Sequence, residues 1–264
     1  MTQARKRART YDSAKTRAAV IAQFENVRDG VRTLTEEQLA RPSGLGDWSV
    51  RELAAHITMA VGSVSRHLDL PEPAAKELAL LDWPSGTASR SGNIADGTRA
   101  LAEQHPDLDA LYTDSAARIA GHLATAPDDR LLGVPAGAMT LADFLVTRTV
   151  ELVVHTDDLN RAAGTGIPFD RQALAACTRL LADTLAAKAP GASTEVRIPP
   201  YAVVQCVEGP RHTRGTPPNV VETDPLTWIR LATGRVAWKA ALDEAKVSAS
   251  GERADLGGLL PLMG

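Results

Sequence analysis

The segment from Leu141 to Ala163 limits what this chain can fold into more than any other. Thr140 is placed to cap a helix there and Gly164 to end it. Val150, Leu152, Val153 and Val154 make that helix apolar nearly all round, as in helices buried on most sides. Yet Arg148, Glu151, His155 and Asp158 fall at i, i+3, i+7 and i+10, on one face. Charged groups taken out of water need pairing or a metal. The helix therefore belongs inside a bundle whose neighbours answer that stripe.

Glu151 and His155, four apart, have the spacing by which two side chains of one helix grip one ion. With six histidines in 264 residues, chance would give fewer than one Glu–His pair at that spacing, and two such pairs lie on expected helices of the bundle. The second is Glu52/His56, on a helix that Ser49 opens. Metal sites in helical bundles are built from inward side chains of facing helices. His56 with Glu151 and His155 would give two nitrogens and a carboxylate, a three-ligand set of the kind that leaves catalytic zinc an open position. A buried polar network without metal suits the same spacing. Glu52 reads better as the capping-box partner of Ser49 than as a ligand. Asp158 could orient a ligating histidine from behind or lie exposed near the helix end. Arg148 could balance the carboxylates or bind an anionic substrate. His67, His105, His122 and His212 fall in polar contexts and are expected at the surface; Cys177 is expected to pack. No P-loop, nucleophile elbow, dinucleotide fingerprint or His-Glu-x-x-His motif is present.

Around this segment the first 190 residues are rich in Ala and Leu with helical periodicity. Helices are expected over 12–39, with Ala14, Ala18, Ile21, Ala22, Val27 and Val31 inward, and over 48–69. A short helix follows at 71–82, opened by Pro71 and Pro73, then a loop at 83–95. Further helices are expected at 96–125, with Pro106 as a break, at 140–163 and at 170–188. Past Pro190-Gly191 the period shifts. Thr194–Ile198 alternates as a half-buried strand does, and 201–207 is a second strand. Residues 208–218 read as a hairpin connection, and Val220 starts a third strand. Asp224 caps a helix with Pro225 at its first position. A short helix at 236–243, a strand at 246–250 and a helical end from Arg253 complete the chain. Two domains are expected, 12–190 and 191–264.

Composition excludes several classes. The 29 basic and 32 acidic residues leave a net charge of −3, and aromatics are only 4%. Neither nucleic acid nor an anionic membrane is favoured as a partner, and no apolar run spans a bilayer. Arg5, Lys6, Arg7 and Arg9 read as a solvated tail, since no apolar segment follows them. Two cysteines without metal or disulfide spacing suit the cytoplasm.

Leu45-Gly-Asp-Trp-Ser-Val-Arg-Glu-Leu-Ala-Ala-His56 resembles the Trp-Ser/Thr-Val-x-Asp/Glu-Leu-x-x-His signature of the mycothiol-dependent maleylpyruvate isomerase family, among the DinB-like metal-dependent thiol enzymes. Thr149 to Leu159 resembles its second motif, Glu-x-x-x-His-x-x-Asp. Asp224 to Arg235 and Val247 to Gly251 resemble the sterol-carrier-like domain often fused behind it. The resemblance implies an α, then α+β, protein: a DinB-like four-helix bundle followed by a small mixed α/β domain. It implies a divalent metal, zinc first, on His56, Glu151 and His155, with mycothiol as thiol cofactor or co-substrate and Asp158 among the cofactor-binding residues. Arg148 and Arg235 are the arginines expected to act in catalysis, Arg235 as the match to an arginine that isomerase relatives take from the C-terminal domain. A metal-bound thiol would lose its proton near neutral pH. Its addition to an activated double bond, rotation and elimination would be isomerisation; addition alone would be S-transfer. The substrate would be a small electrophile, a carboxylate-bearing one among the candidates. Asp157 departs from the family pattern, where an aromatic residue is common, and is expected to add charge at the site mouth. The alternative is a non-catalytic module carrying an apolar or lipid ligand in the C-terminal domain. Against it, Val203, Val204, Val207, Leu226, Ile229 and Leu231 are no more than that domain needs for its own core. A third reading is a regulatory protein with a degenerate site. Whether the chain is a monomer or a dimer stays open.

Overall fold

A computed structural model describes residues 9–86, 91–209 and 218–263, the side chains of 91–93 excepted. The helical part comprises α1 (Ser13–Val31), α2 (Glu36–Leu39), α3 (Val50–Leu68), α4 (Ser91–Gln104), α5 (Leu108–Leu123), α6 (Leu141–Ala163) and α7 (Arg171–Lys188). Helices α1, α5, α3 and α6 close a four-membered ring in which each packs on two neighbours, while α4 lies on α3. A hairpin of β1 (Leu131–Val134) and β2 (Gly137–Thr140) leads into α6. The C-terminal unit has β3 (Thr194–Ile198), β4 (Ala202–Cys206), β5 (Val220–Thr223), α8 (Pro225–Ala232), α9 (Trp238–Asp243) and β6 (Val247–Ser250). Its sheet runs β4-β3-β5-β6, parallel only between β3 and β5. The fold class is the expected one: a four-helix bundle followed by a small mixed unit.

Helix α6 is apolar all round because it divides two cores. Leu145, Leu152 and Leu159 enter the bundle core with Phe24, Leu53 and Tyr112. Val146, Val150, Val153 and Val154 enter a second core with Cys177, Leu181, Trp228 and Val196. Residues seven apart share a helix face, so the leucines form one stripe, the valines another, and the charged groups keep the remainder.

Local signals account for most boundaries. Ser49 Oγ accepts from Glu52 N at 3.2 Å, and Glu52 Oε2 accepts from Ser49 N at 2.6 Å, a complete capping box that commits Glu52 to the cap. Thr140 caps α6, Asp170 caps α7 and Asp224 caps α8. Gly164, at φ +69°, ends α6 in the left-handed region that glycine enters without penalty.

Other expectations need correcting. The first helix stops at Val31 rather than 39, and Thr35 opens a separate turn with its own capping box. Its buried face is Thr16, Ala19, Val20, Gln23, Phe24, Val27 and Val31, leaving Ala14 and Ala18 exposed. No helix forms over 71–79: the N–H groups of Glu77 and Leu78 bond Ala138 O across the hairpin, and only short 3₁₀ turns follow at Leu80–Asp82 and Pro84–Gly86. The next helix starts at Ser91, inside the expected loop, and breaks around Pro106, where Asp107 caps α5. Strands β4 and β5 are not neighbours, so the chain between them is a crossover and not a hairpin. The end past Arg253 forms only a 3₁₀ turn at Gly257–Leu259. Residues 1–8 lie outside the described residues, while Arg9 pairs with Asp183 at 2.7 Å.

Candidate metal centre

Helix α3 supplies His56 and α6 supplies Glu151 and His155. The His155 Nε2 atom lies 3.3 Å from Glu151 Oε2, and His56 Nε2 lies 3.9 Å from the same oxygen. One donor atom from each residue lies within 4.8 Å of the others. Ligand atoms about 2.1 Å from a tetrahedral zinc would stand about 3.4 Å apart, so this donor set fits a first-row divalent ion with little movement. Both histidines are buried, and the Glu151 side chain keeps 20% exposure, so the cluster is open on the Glu151 side. The two imidazoles meet edge to face with centroids 4.8 Å apart, and Trp48 tilts over His56 at 5.0 Å.

The groups behind the histidines set which nitrogen faces the cluster. His155 Nδ1 is 3.1 Å from Asp158 Oδ2. A carboxylate can only accept there, so Nδ1 carries a proton, and Nε2 is the nitrogen left to face Glu151 or a cation. His56 Nδ1 is 3.3 Å from the hydroxyl of Thr98, a buried residue of α4. Burial pushes the His56 pKa below that of an ordinary histidine, against smaller raising effects of Glu151. Burial also works against charged His155, but hydrogen bonds to Asp158 and Glu151 outweigh it and raise its pKa. Burial opposes the Asp158 charge too, and the His155 contact followed by Arg235 holds its pKa below the usual range.

The two arginines stand apart. The Arg148 guanidinium lies 4.4 Å above the Phe144 ring, donates to Ala60 O and Thr147 Oγ1 at 3.1 Å, and comes within 3.8 Å of Glu151 Oε1. Arg235 reaches from the C-terminal unit to Asp158 Oδ2 at 3.0 Å and contacts none of the three donors of the cluster directly. It also lines an open groove of about 390 Å³ with Arg161, Ser43, Gly44 and Leu45.

Asp157 is not at the site mouth. It is 5% exposed and takes a two-pronged ion pair from Arg230 of α8, at 2.6 and 2.8 Å. Arg161 links both aspartates, 2.8 Å from Asp158 Oδ1 and 3.4 Å from Asp157 Oδ2. Among the other histidines, His105 is exposed and His122 pairs with Asp69. His67 is half-buried against Phe144 rather than at the surface, and His212 lies outside the described residues. Sequence reasoning missed Thr98, Arg161 and Arg230. Only Arg161 carried a signal, three and four residues beyond the aspartates on one helix.

Residues 20–160 match the family described as the mycothiol maleylpyruvate isomerase N-terminal domain, and residues 170–262 match the bacterial sterol-carrier-protein ortholog family. The chain belongs to the mycothiol maleylpyruvate isomerase family. Its second match takes in α7 along with the sheet. The crystal structure of the mycothiol-dependent maleylpyruvate isomerase aligns over 96% of this chain and 97% of its own, at 15% identity and a TM-score of 0.59. A point mutant of that enzyme aligns over the same shares at 14% identity and 0.58. These likenesses show a shared fold across both units. No curated protein sequence matches the chain.

Proposed function

We propose that the protein is a divalent-metal- and mycothiol-dependent enzyme, an S-transferase or an isomerase, acting on a small electrophile. The observation that carries this is the convergence of His56, Glu151 and His155 from two facing helices, in a chain of this family. Zinc is the first candidate, since two imidazoles and a carboxylate suit it among several first-row metals. A bound cation would supply Lewis acidity, lowering the pKa of a thiol at its open position. His155 and His56 would hold it through Nε2, and Glu151 would offset its charge. Asp158 keeps the His155 proton on Nδ1, and Thr98 steadies His56. Trp48 covers the His56 ring and keeps water from that side. Arg148, beside Glu151, and Arg235, at the groove edge, would meet a developing or resident negative charge. In this reading the unit 12–190 holds the metal and 191–264 brings Arg235 to it, within the cytoplasm.

The thiol has to come from outside. Cys177 and Cys206 are both buried; burial pushes the Cys177 thiol up strongly and the Cys206 thiol up to about 11. The test is turnover of maleylpyruvate and a panel of activated alkenes and epoxides by zinc-loaded protein, with mycothiol present or withheld. Product formation that needs mycothiol and vanishes in Glu151→Ala is expected. Turnover indifferent to mycothiol, or retained in that variant, would overturn the proposal.

A further inference from the structure

We infer that Arg230 is a positioning residue for the His155 imidazole, acting from the C-terminal unit through Asp157, Arg235 and Asp158; the inference rests on the metal-centre reading above. Arg230 does two things at once. Its guanidinium grips α6, with Nη2 2.6 Å from Asp157 Oδ1 and Nε 2.8 Å from Asp157 Oδ2. Its carbonyl accepts from Arg235 N at 2.7 Å and Val236 N at 3.3 Å, and so builds the turn that presents Arg235. Gly234 gives that turn its shape at φ +71°. Arg235 Nη2 then reaches Asp158 Oδ2 at 3.0 Å, the oxygen that stands 3.1 Å from His155 Nδ1. Asp157 and Asp158 are adjacent on α6, about 100° apart around its axis. One therefore receives the incoming unit while the other backs the metal centre. A planar guanidinium held at two points fixes orientation as well as distance. The Asp157 fork thus sets where α8 and its following turn sit, and Arg235 carries that placement to the hydrogen bond that orients His155.

Geometry and charge are separable here, because lysine keeps the charge and loses the fork. The experiment uses the full chain, metal-free and labelled with ¹⁵N-histidine, and compares wild type with Arg230→Gln and Arg230→Lys. His155 is assigned by its absence in His155→Gln. The His155 ring nitrogens are expected to shift in Arg230→Gln, with Arg230→Lys recovering only part, while His105, exposed and remote, stays put. Titrated with cobalt(II), Arg230→Gln should bind about tenfold more weakly, as loss of a ligand's outer support does, with a changed d–d absorption band. A folded Arg230→Gln protein with unchanged His155 resonances, cobalt affinity and band, whatever its melting temperature, would overturn the inference. If Arg230→Gln does not fold, Asp157→Asn opens the same fork from the other side and is judged by the same readouts. A wild type that takes no cobalt would sink the metal-centre reading, and the His155 resonances of the metal-free chain would still decide this one.

Discussion

Glu151 keeps its charge in a setting that works against it. Burial disfavours the carboxylate, yet hydrogen bonds from His155 and His56, with the Arg148 charge nearby, hold its pKa well below the usual carboxylate range. Replacing Arg148 by Met removes that cation and its bond to Ala60 O. Stability of the metal-free protein should fall by about 3 kcal/mol, as for a buried pair stripped of one partner. With zinc present the loss should be clearly smaller, because the ion takes over the carboxylate. Denaturant unfolding with and without zinc checks this, and equal losses would contradict it. At this scale the stripe on α6 was legible, because side-chain spacing on a helix needs no tertiary information. Thr98 and Arg230 were not, since their partners lie 42 and 73 positions away in the chain and no local pattern reports such distances.

Elements were legible where a cap or a period defined them and obscure where another part of the chain did. Ser49, Thr140, Asp170 and Asp224 each mark a helix start by a bond within three residues. The stretch after Pro71 reads as helix until its backbone donors find Ala138 O, a bond that exists only once β2 has formed. The hairpin itself has strands of four residues, too short to show alternation. Gly30 illustrates the packing that decides such matters. A Cβ there would overlap the Ile167 side chain, which packs directly on α1, so Ile167 would have to move out of its place in the core. Gly30→Ala should therefore destabilise by about 1–3 kcal/mol despite alanine's better helix propensity, and a rise in melting temperature would contradict the packing. The end of α3 is tied to α5 by Asp69 with His122 and Arg118. A hydrogen bond to Arg118 O, then Asp69, raises the His122 pKa. A raised folded-state pKa stabilises fully below the unfolded value, about 6.5, and the gain is lost as pH climbs through the folded value. His122→Ala should cost a few tenths of a kcal/mol at pH 5.5, in keeping with a partly exposed pair, and less at pH 8.5. Thermal melts at both pH values read the difference, and a larger cost at pH 8.5 would reverse the sign assigned here.

The whole molecule is two cores sharing α6. The bundle provides the ligand cluster, and the C-terminal unit closes on the back of it through Arg235, Arg230 and the two aspartates. Helices long enough to show their period made the bundle predictable from the sequence, and alternation at Thr194–Ile198 marked the sheet. The parallel pairing of β3 with β5 was hidden, because register between strands some 25 residues apart depends on what the crossover does. Among the described residues no helix is long and apolar enough to cross a membrane. Everything proposed for function depends on the cluster binding an ion. Metal content of the purified full chain, by elemental mass spectrometry after loading with zinc and removal of the excess, tests it most directly in wild type and His155→Ala. About one zinc per wild-type chain, lost in the variant, is predicted. No bound zinc in the wild type, or the same content in both proteins, would contradict the metal centre and leave the stripe on α6 a structural network.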